Sequence, residues 1–599
     1  MTRKQLYTAF FASIAMVANA QTDTALNRNV TVEREFQPVV QSAGKINRKP
    51  AITETEVPAH SVEYSDYNAM CSPAFNTNDL LSQPTRFTNP EPLHGYVRGG
   101  LGHTNTLFDF GYSLNRQGNR KRAKDILDIY AHHRAQWGIR ANSKTKVGLR
   151  FAHSFSANQL YFGFEGRNQY FTHYGRYFDP NSEKLTIHRH SELQAYDKQT
   201  TWGADAFVGI KSNHKQDFQY QVQVGYTLFA LPQYATENQL HTRLNLAYKT
   251  GRHRVGAKLS AMDAFISTSN IEQADNIYAE AVADSLYNPR HAIRIEPYYA
   301  YAGKRFNLHV GVNLDLNIGR GQMLSTNENI SFAPSPNVQF EGQIAKEWLT
   351  IYGDFTGKIG TGNLQSYVES MPYRALKSGI TSHHTASYTP IDGTIGFHIK
   401  PHRDLLINLY GGYAYLINQR TLIATVHEFA GKSKQHMPGT FVYAYSDYGR
   451  GKIGALFHYH YQDIINIKLG GNYYLWDSFR HEDIPADYQQ FFTKSDGKVP
   501  EGVIYDRANW DLSLRIEGRI DEHWSLYSDN YFEGKRLAMT TIGDKVLKPT
   551  VQLNLGCQYE EKQWAAFLQL NNFIHRHNDI YYGYQTEGIN FLLGGAYKF

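Results

Sequence analysis

The sequence has few cysteines and no long apolar run. Its only two cysteines, Cys71 and Cys557, are nearly the whole chain apart. This excludes a disulfide-stapled small scaffold and gives no metal-type spacing. Beyond the first twenty residues no stretch approaches the ~18 apolar residues of a transmembrane helix, and the mean hydropathy is −0.51, so a helical membrane protein is excluded. The net charge of +6 over 599 residues gives no case for nucleic-acid binding.

The start of the chain is organised like a secretory signal. Arg3 and Lys4 supply the positive charge, "LYTAFFASIAMVA" the apolar stretch, and Ala18-Asn19-Ala20 the small-residue cleavage site. The mature chain is therefore expected to leave the cytoplasm. No cysteine follows the predicted cleavage site, which argues against a lipid-anchored lipoprotein.

Alternation of apolar and polar residues is the main signal in the rest of the chain. In "FNLHVGVNLDLN" (306–317) and "WDLSLRIEG" (510–518) every second position is apolar. Successive side chains of a strand point to opposite faces, so this pattern predicts strands with one apolar and one polar face. A β-sandwich and a transmembrane barrel both use such strands, and alternation alone does not choose between them.

The lengths of the links between strands favour the barrel. Short links alternate with long polar ones: "AGK" (302–304), "AKE" (345–347), "KPHRD" (400–404), "RIDEH" (519–523) and "EEKQ" (560–563) against roughly 266–290, 360–387, 417–439 and 477–507. Short periplasmic turns and long extracellular loops are typical of outer-membrane barrels. Aromatic residues at 14%, with 43 Tyr, suit the aromatic girdles of such barrels. The predicted fold class is all-β, a transmembrane antiparallel up-and-down barrel.

Counting back from the last residue predicts about 22 strands, an even number as single-chain bacterial barrels require. The first lies near "HGYVRGGLG" (94–102). The stretch 440–461 is interpreted as one long strand, not as a hairpin turning at 449–451, because this keeps the number even. The last strand carries a lipid-facing row of Phe591, Leu593, Tyr597 and Phe599. It must pair with the first strand, since an open edge in lipid leaves backbone groups unpaired at several kcal/mol each.

These assignments divide the chain into a signal peptide (1–20), an extended N-terminal segment (21–93) and an outer-membrane barrel (94–599). Pro38, Pro50 and Pro58 interrupt the N-terminal segment, which predicts an extended segment without a globular fold. The expected location is the bacterial outer membrane, with its lipids as surroundings. The basic cluster "NRQGNRKRAKD" (115–125) falls on a predicted periplasmic turn, where a solvated turn is favoured over a partner site.

Two stretches carry a family resemblance. The ending "LQLNNFIHRHNDIYYGYQTEGINFLLGGAYKF" (568–599) resembles the barrel end of TonB-dependent receptors. The stretch "VTVEREFQPVVQSAGKINRKPAITETEV" (30–57), followed by "GYVRGGLG" (95–102), resembles receptor-like outer-membrane barrels of the Bacteroidota. The resemblance implies a 22-stranded Gram-negative barrel whose terminal Phe is presented to the barrel assembly machinery. It does not by itself imply uptake.

The sequence also departs from the TonB-dependent receptor pattern. Those receptors carry a globular plug before the barrel, and the segment 21–93 is too short for a full one. "VTVERE" (30–35) admits a TonB-box interpretation, but a short extended polar strand is favoured. Known 22-stranded barrels are plugged. Something is therefore expected to occlude the lumen: the segment 21–93, the long loops or a partner protein.

Inward-facing polar residues are the candidate lumen lining. They are Asp315, Glu341, Asp511, Arg515, Glu517, His458 and His460. The His-x-His spacing places both imidazoles on one face of a strand, where they could hold a metal. Ordinary lumen polarity is the favoured alternative in a chain with 26 His. No metal site, cofactor or catalytic set is predicted, because Ser, His and Asp are too abundant to single one out.

Three functions are compatible with such a barrel. The first is transport of a bulky substrate across the outer membrane, with or without a TonB-type periplasmic partner. The second is a non-transporting scaffold or assembly component that holds lipoproteins or other envelope proteins. A general diffusion porin is the weakest of the three, because porins usually have 16 to 18 strands.

Overall fold

The computed structural model describes residues 94–117, 124–138, 140–179, 184–187, 198–212, 217–232, 235–268, 290–318, 330–345, 348–360, 363–370, 373, 387–425, 440–462, 464–482, 504–540 and 543–599. The predicted signal peptide and the N-terminal segment 21–93 lie outside these residues, as does most of the basic cluster at 115–125. Within the described residues no helix is long and apolar enough to cross a membrane.

The described chain forms one closed antiparallel barrel of 22 strands, which confirms the predicted fold class and strand number. One sheet joins 24 strands, of which two belong to a loop hairpin and the remaining 22 form the wall. The wall strands are β1 Gly95–Gly102, β2 Asn105–Gln117, β3 Lys124–Gln136, β4 Asn142–Ser154, β5 Asn158–Thr172, β6 Lys198–Ser212, β7 Phe218–Leu231, β8 Ala235–Thr250, β9 His253–Thr268, β10 Arg290–Ala302, β11 Phe306–Ile318, β12 Ile330–Ala345, β13 Leu349–Gly360, β14 Ser387–His402, β15 Leu405–Thr425, β16 Thr440–Tyr461, β17 Ile465–Glu482, β18 Trp510–Arg519, β19 Trp524–Glu533, β20 Thr550–Glu560, β21 Trp564–Asn571 and β22 Asn590–Lys598.

The first and last strands close the barrel. β1 pairs with β22 in an antiparallel register that runs from Tyr96 opposite Lys598 to Gly102 opposite Leu592. At the rim the Gly95 N–H donates to the Phe599 carbonyl at 2.8 Å, and the Phe599 N–H donates to the Gly95 carbonyl at 3.0 Å. No strand edge of the wall is left unpaired, which is the condition for a sheet in lipid.

The outer face of the barrel is apolar, as alternation predicts. On β22 and the residue that follows it, the side chains of Phe591, Leu593, Tyr597 and Phe599 are between 41% and 59% exposed, although all are large and mostly apolar. An apolar face with no protein cover matches a hydrocarbon solvent. Near the same rim the Tyr559 ring contacts the rings of Trp524 and Trp564, with centroids 5.1 and 5.2 Å apart. This rim therefore carries the aromatic belt expected at a membrane interface.

Two strands are longer than predicted. β15 continues to Thr425 and β17 to Glu482, so the expected loops at 417–439 and 477–507 begin later. β16 is one strand over Thr440–Tyr461, as the strand parity required. The alternation of short and long links is also incomplete, because β1–β2 and β7–β8 are joined on the loop rim by only a few residues.

The remaining elements of the described residues belong to the loops on the rim opposite Phe599. They are the helix α1 Leu364–Ser370 and three hairpins, Arg176–Asp179 with Lys184–Ile187, Arg536–Thr540 with Lys545–Leu547, and Asp579–Tyr581 with Tyr584–Gln585. This rim is called the loop rim below, and the barrel opening that it surrounds the outer mouth.

The inner wall is shaped by tyrosines that lie over glycines. Tyr130 faces Gly148 across β3 and β4, and Tyr527 faces Gly556 across β19 and β20. A Cβ on Gly148 would lie 2.2 Å from the Tyr130 ring, and one on Gly556 would lie 2.1 Å from the Tyr527 ring. The same arrangement recurs in Tyr161 with Gly209, Tyr298 with Gly256, Tyr352 with Gly396 and Tyr410 with Gly454. Part of the tyrosine content thus serves the inner wall, whereas the composition suggested only membrane girdles.

Candidate functional site

The structure places the predicted lumen residues on the inner face of the wall, in two separate groups. Asp315 on β11 lies opposite Arg294 on β10. The Arg294 guanidinium donates from Nε and Nη2 to both Asp315 oxygens, at 2.6 and 2.9 Å. This bidentate pair neutralises a carboxylate that is only 6% exposed. Glu341 on β12 pairs in register with Asn307 and Tyr352 and makes no contact with the other predicted residues.

The second group spans β16 to β19. Arg515 donates to Glu517 Oε1 and to Asp529 Oδ2, the latter at 2.6 Å. Asn466 links the predicted residues of β16 and β18, because its Nδ2 donates to Glu517 Oε2 at 2.8 Å and its Oδ1 lies 2.8 Å from His458 Nε2. Asp511 accepts from Asn472 Nδ2 at 2.9 Å. These contacts form a paired polar wall.

The two histidines of this group do not build a metal site. The rings of His458 and His460 lie 6.3 Å apart between centroids. Among the described residues no group of three or more His, Cys, Asp or Glu is placed to hold a metal ion. A functional role for the predicted lumen residues therefore stays a prediction.

A loop docks on the inner face of the barrel, and the sequence, which offered the long loops only as one of three candidates for occlusion, did not predict which loop or where it docks. The loop between β13 and β14, whose described part includes α1, docks on the inner face of β7–β9, several strands away around the ring. Leu364 and Val368 of α1 are buried against inward-facing apolar side chains of these strands, namely Phe229, Leu231, Ala235 and Ile266. We call the described part of this loop, residues 363–370 and 373, the inner loop.

A buried carboxylate fixes the inner loop to the wall. Glu237 on β8 is 0% exposed. Its two carboxylate oxygens accept the backbone N–H groups of Leu364 and Gln365 at 2.9 and 3.0 Å. Asn363 caps the same helix, since its Oδ1 accepts from Ser366 N–H at 2.9 Å. A wall carboxylate thus satisfies the first backbone donors of α1, which otherwise have no partner in a helix.

The tips of β15 and β16 bend over the outer mouth. The bend lies at Asn418, which has a positive φ of 52° and donates its N–H to Asp447 Oδ1 at 2.7 Å. Above it, β15 pairs in parallel with the loop hairpin Arg536–Thr540, with Ile423 opposite Met539. The hairpin, completed by Lys545–Leu547, and the two strand tips form a small sheet, which we call the cap sheet.

Asp506 joins the cap sheet to the loop between β17 and β18. Its Oδ2 accepts from Leu422 N–H at 3.2 Å, and its own N–H donates to the Leu537 carbonyl at 2.6 Å. Burial raises the pKa of the Asp506 carboxyl to about 6, and the nearby Arg536 partly opposes this rise. Arg536 is itself buried and donates to the Asp579 and Ile580 carbonyls of the next hairpin.

Aromatic side chains from loops all around the ring meet over the barrel interior. Tyr373 of the inner loop lies 4.3 Å from Tyr584 and 5.6 Å from Tyr174, measured between ring centroids. Tyr174 follows β5, the inner loop follows β13, and Tyr584 precedes β22, so the three come from widely separated parts of the wall. The cluster comprises Phe171, Tyr174, Tyr373, Leu422, Ala424, Phe441, Ile580, Tyr581 and Tyr584.

The size of the barrel shows what this meeting requires. Twenty-two strands spaced about 4.8 Å apart and tilted by about 40° enclose a cylinder about 40 Å across. Ring contacts of 4 to 6 Å between its separate sectors are possible only if the loops reach inward over the lumen. The cluster, called the mouth cluster below, therefore covers the outer mouth. Burial raises the pKa of Tyr174 to about 12 and raises the pKa of Tyr373 well above its ordinary value, which keeps both hydroxyls neutral at physiological pH.

The sequence carried only a weak signal for this site. "YYGYQ" (581–585) and "LQSYVES" (364–370) lie in stretches assigned to loops. Loops have no regular alternation of apolar and polar residues, so the sequence does not indicate what these segments pack against. The sequence does not single out the buried Glu237 either, because any inward-facing polar residue fits the alternation of that strand.

Comparison with known proteins agrees with the fold. No family model matches the chain, and no curated protein matches it. Among solved structures, the siderophore receptor PirA from Acinetobacter baumannii superposes with a TM-score of 0.60 at 8% identity, covering 86% of this chain and 81% of the receptor. The copper transporter OprC superposes with a TM-score of 0.58 at 11% identity, covering 86% and 82%.

A third similar structure is a point mutant of the ferric enterobactin receptor PfeA from Pseudomonas aeruginosa. It gives a TM-score of 0.56 at 9% identity, with 84% of this chain and 80% of that chain covered. Identities this low establish the fold alone. The fold is that of the TonB-dependent receptor barrels, and its apolar outer face places the protein in the bacterial outer membrane.

Proposed function

We propose that this protein passes a bulky ligand across the outer membrane and that its inner loop and mouth cluster close the path between transport events. The arrangement of the inner loop carries the proposal. A scaffold has no need for a loop that docks on the inner face of its own barrel, whereas a wide pore needs such a closure because an open cylinder of this width would be leaky.

The chemistry of the closure supports a path that can open. The inner loop is fixed by one buried carboxylate and a small apolar contact around Leu364 and Val368, and the mouth cluster consists of ring contacts between separate loops. Both can separate without breaking a strand pair of the wall. The similar structures are two siderophore receptors and a copper transporter, which supports a cargo of the siderophore or metal-complex class.

The proposal extends to partners and to the N-terminal segment. We infer that a periplasmic protein of the TonB type drives release of the inner loop. A lipoprotein is the alternative partner. We also infer that the chain lacks a full plug domain and that residues 21–93 form a short extended segment after signal cleavage. The loops then take over part of the occlusion that a plug would provide.

A reversible tether of the inner loop tests the function. Cysteines at Phe229 and Leu364 (Phe229→Cys with Leu364→Cys), in a Cys71→Ser, Cys557→Ser background, are joined by a short cleavable bis-maleimide. A deletion strain is first screened for a growth defect on limiting iron, copper or complex carbon sources. The unlinked variant is expected to restore growth, the linked one to fail, and cleavage of the linker to restore it again.

Two results separate transport from a scaffold role. Each single-cysteine variant, treated in the same way, should support growth and serves as the control for the reagent. Full growth with the linked barrel, together with stable co-purification of envelope proteins, would contradict the transport function and favour the scaffold function.

A further inference from the structure

One cross-strand row of the inner wall carries a cation near one end and a carboxylate near the other. Five successive strands contribute one residue each, directly opposite one another: Arg167 (β5), Gly203 (β6), Phe229 (β7), Glu237 (β8) and Ile266 (β9). Directly paired residues share a face. Phe229 and Ile266 are buried against the inner loop, so the whole row points inward. We call it the dipolar row.

Gly203 allows the Arg167 side chain to lie along the wall toward the centre of the row. A Cβ on Gly203 would lie 2.3 Å from Arg167 Nε, so a larger residue would displace the guanidinium. Arg167 is ion-paired with Asp205, at 3.3 Å between Nη2 and Oδ2. Its Nε and Nη2 are nevertheless buried and donate no hydrogen bond within the part of the chain that the structure describes. This end of the row can therefore receive a further carboxylate.

The other end of the row receives N–H donors. The two oxygens of Glu237 accept from the first backbone N–H groups of α1, at 2.9 and 3.0 Å. Gln239 Nε2 donates to the same carboxylate at 2.8 Å. A buried charge is strongly destabilising when its partners are removed. Whatever replaces α1 on the row must therefore bring its own donors to Glu237.

Helix α1 matches the dipolar row group by group. Its N–H donors lie on Glu237, and its buried side chains Leu364 and Val368 pack in the apolar cluster around Phe229. At the far end the Glu369 carboxylate lies 3.8 Å from Arg167 Nε. The inner loop thus occupies the row with donors at one end, an apolar middle and a carboxylate at the other end.

We propose that the dipolar row is a ligand site that α1 occupies as a built-in competitor, and that its external ligand is a short apolar peptide with free amino and carboxylate ends. The proposal rests on the proposed function for the release of the inner loop. The amino group of the peptide replaces the α1 donors on Glu237, and its carboxylate replaces Glu369 on Arg167. An ammonium group also neutralises the charge of Glu237, which backbone N–H groups do not.

The length of the row sets the length of the peptide. From Leu364 to Glu369 the helix rises about 7.5 Å, and the Glu369 side chain extends this reach toward Arg167. An extended chain of three residues spans about 10 Å. A tripeptide with apolar side chains therefore connects the two charged ends and covers the Phe229 ring between them.

Calorimetric titration of the full chain in detergent with trileucine tests the site. Leu364→Ala/Val368→Ala removes most of the apolar contact of α1 and changes no residue of the row. Because α1 and the peptide compete for the same groups, this loosened variant is expected to bind trileucine about tenfold more tightly than the native chain. Gln365→Ala keeps both buried side chains of α1 and is the matched control, with an affinity within about twofold of the native value.

Blocked peptides test the two ends of the row. N-acetyltrileucine and trileucine amide should each bind the loosened variant about tenfold more weakly than trileucine, because each leaves one charge of the row without its partner. Arg167→Gln in the same background should bind trileucine and its amide equally. Arg243→Gln, which changes another inward arginine of this wall, should keep the preference for the free carboxylate. Each variant is first shown to keep the compact electrophoretic form of a folded barrel.

Three results would decide against one proposal or the other. Equal binding of the three peptides, or binding that the loosened variant does not strengthen, would overturn the peptide site. The absence of trileucine binding from every variant, with growth still dependent on the linker, would overturn the peptide site and leave transport standing. The expected binding pattern together with full growth of the linked barrel would refute transport alone.

Discussion

The two faces of β7 differ sharply in what surrounds them. Val222, Val224 and Tyr226 point outward and are between 37% and 46% exposed, with hydrocarbon as their solvent. Gln221, Gln223 and Thr227 point inward, and Thr227 donates to Asp205 Oδ1 at 2.6 Å. The outer face needs only apolar bulk, whereas the inner face needs specific partners. The effect of a substitution on stability should therefore depend first on which face of the strand it changes and only then on the residue type.

A charge placed on each face in turn gives the largest expected effect. Val224→Arg puts a guanidinium in lipid and should lower the free energy of unfolding by about 2–4 kcal/mol, less if the site lies near an interface. Gln223→Arg, one residue away, points into a polar interior and should change it by less than about 1 kcal/mol. Urea unfolding in lipid vesicles measures both. Equal effects would mean that the two faces share one environment.

Substitutions of glycine test how closely side chains pack on each face of the wall. Gly556 faces inward under Tyr527, and a new Cβ would lie 2.1 Å from the ring. Gly556→Val should displace the ring and cost about 1–3 kcal/mol. Gly99 faces outward with nothing within 4 Å of a new Cβ, so Gly99→Val should be neutral or slightly stabilising. The temperature at which the folded band is lost on electrophoresis compares them, and a larger loss for Gly99→Val would contradict the assignment of faces.

The smallest expected effect is a pH dependence confined to the cap sheet. The pKa of Asp506 is raised in the closed cap to about 6 from an ordinary value of 3.8. The closed state therefore binds the proton more tightly than the open one. This contribution is fully present below about pH 4 and is lost as the pH rises through about 6. Between pH 5 and 7.5 the cap should lose about 1 kcal/mol of local stability.

Hydrogen exchange at Leu422 and along the hairpin 536–547 measures this change. Exchange should be faster at pH 7.5 than at pH 5, after correction for intrinsic rates. Asp506→Asn, which cannot ionise, should remove the difference and leave exchange in the β7 wall unchanged. A difference that persists in Asp506→Asn would assign the effect to another group.

The sequence was most informative where a local rule applied. The row Phe591, Leu593, Tyr597 and Phe599 could be proposed from the sequence because side-chain direction in a strand depends only on position parity. Strand β16 was found whole because an even strand number is required for closure. The ends of β15 and β17 were misplaced, since above the membrane these strands no longer need an apolar outer row.

No local rule of this kind predicts the candidate site from the sequence. The docking of α1 on Glu237, the bend at Asn418 and the meeting of Tyr174, Tyr373 and Tyr584 join residues far apart in the chain. Each depends on where the wall places the roots of the loops. Tyrosine content alone was misleading, because the same residue type serves the membrane belt, the inner wall over glycines and the mouth cluster.

The sequence by itself determined the fold class, the number of strands, the face that meets lipid and the need to close β1 on β22, because a period of two and the cost of unpaired backbone in lipid act at every position. Only the tertiary structure decided that the inner loop docks on the inner face of β7–β9 and that the loops cover the outer mouth. These features arise when a cylinder about 40 Å across brings distant segments together, and no local pattern encodes that distance.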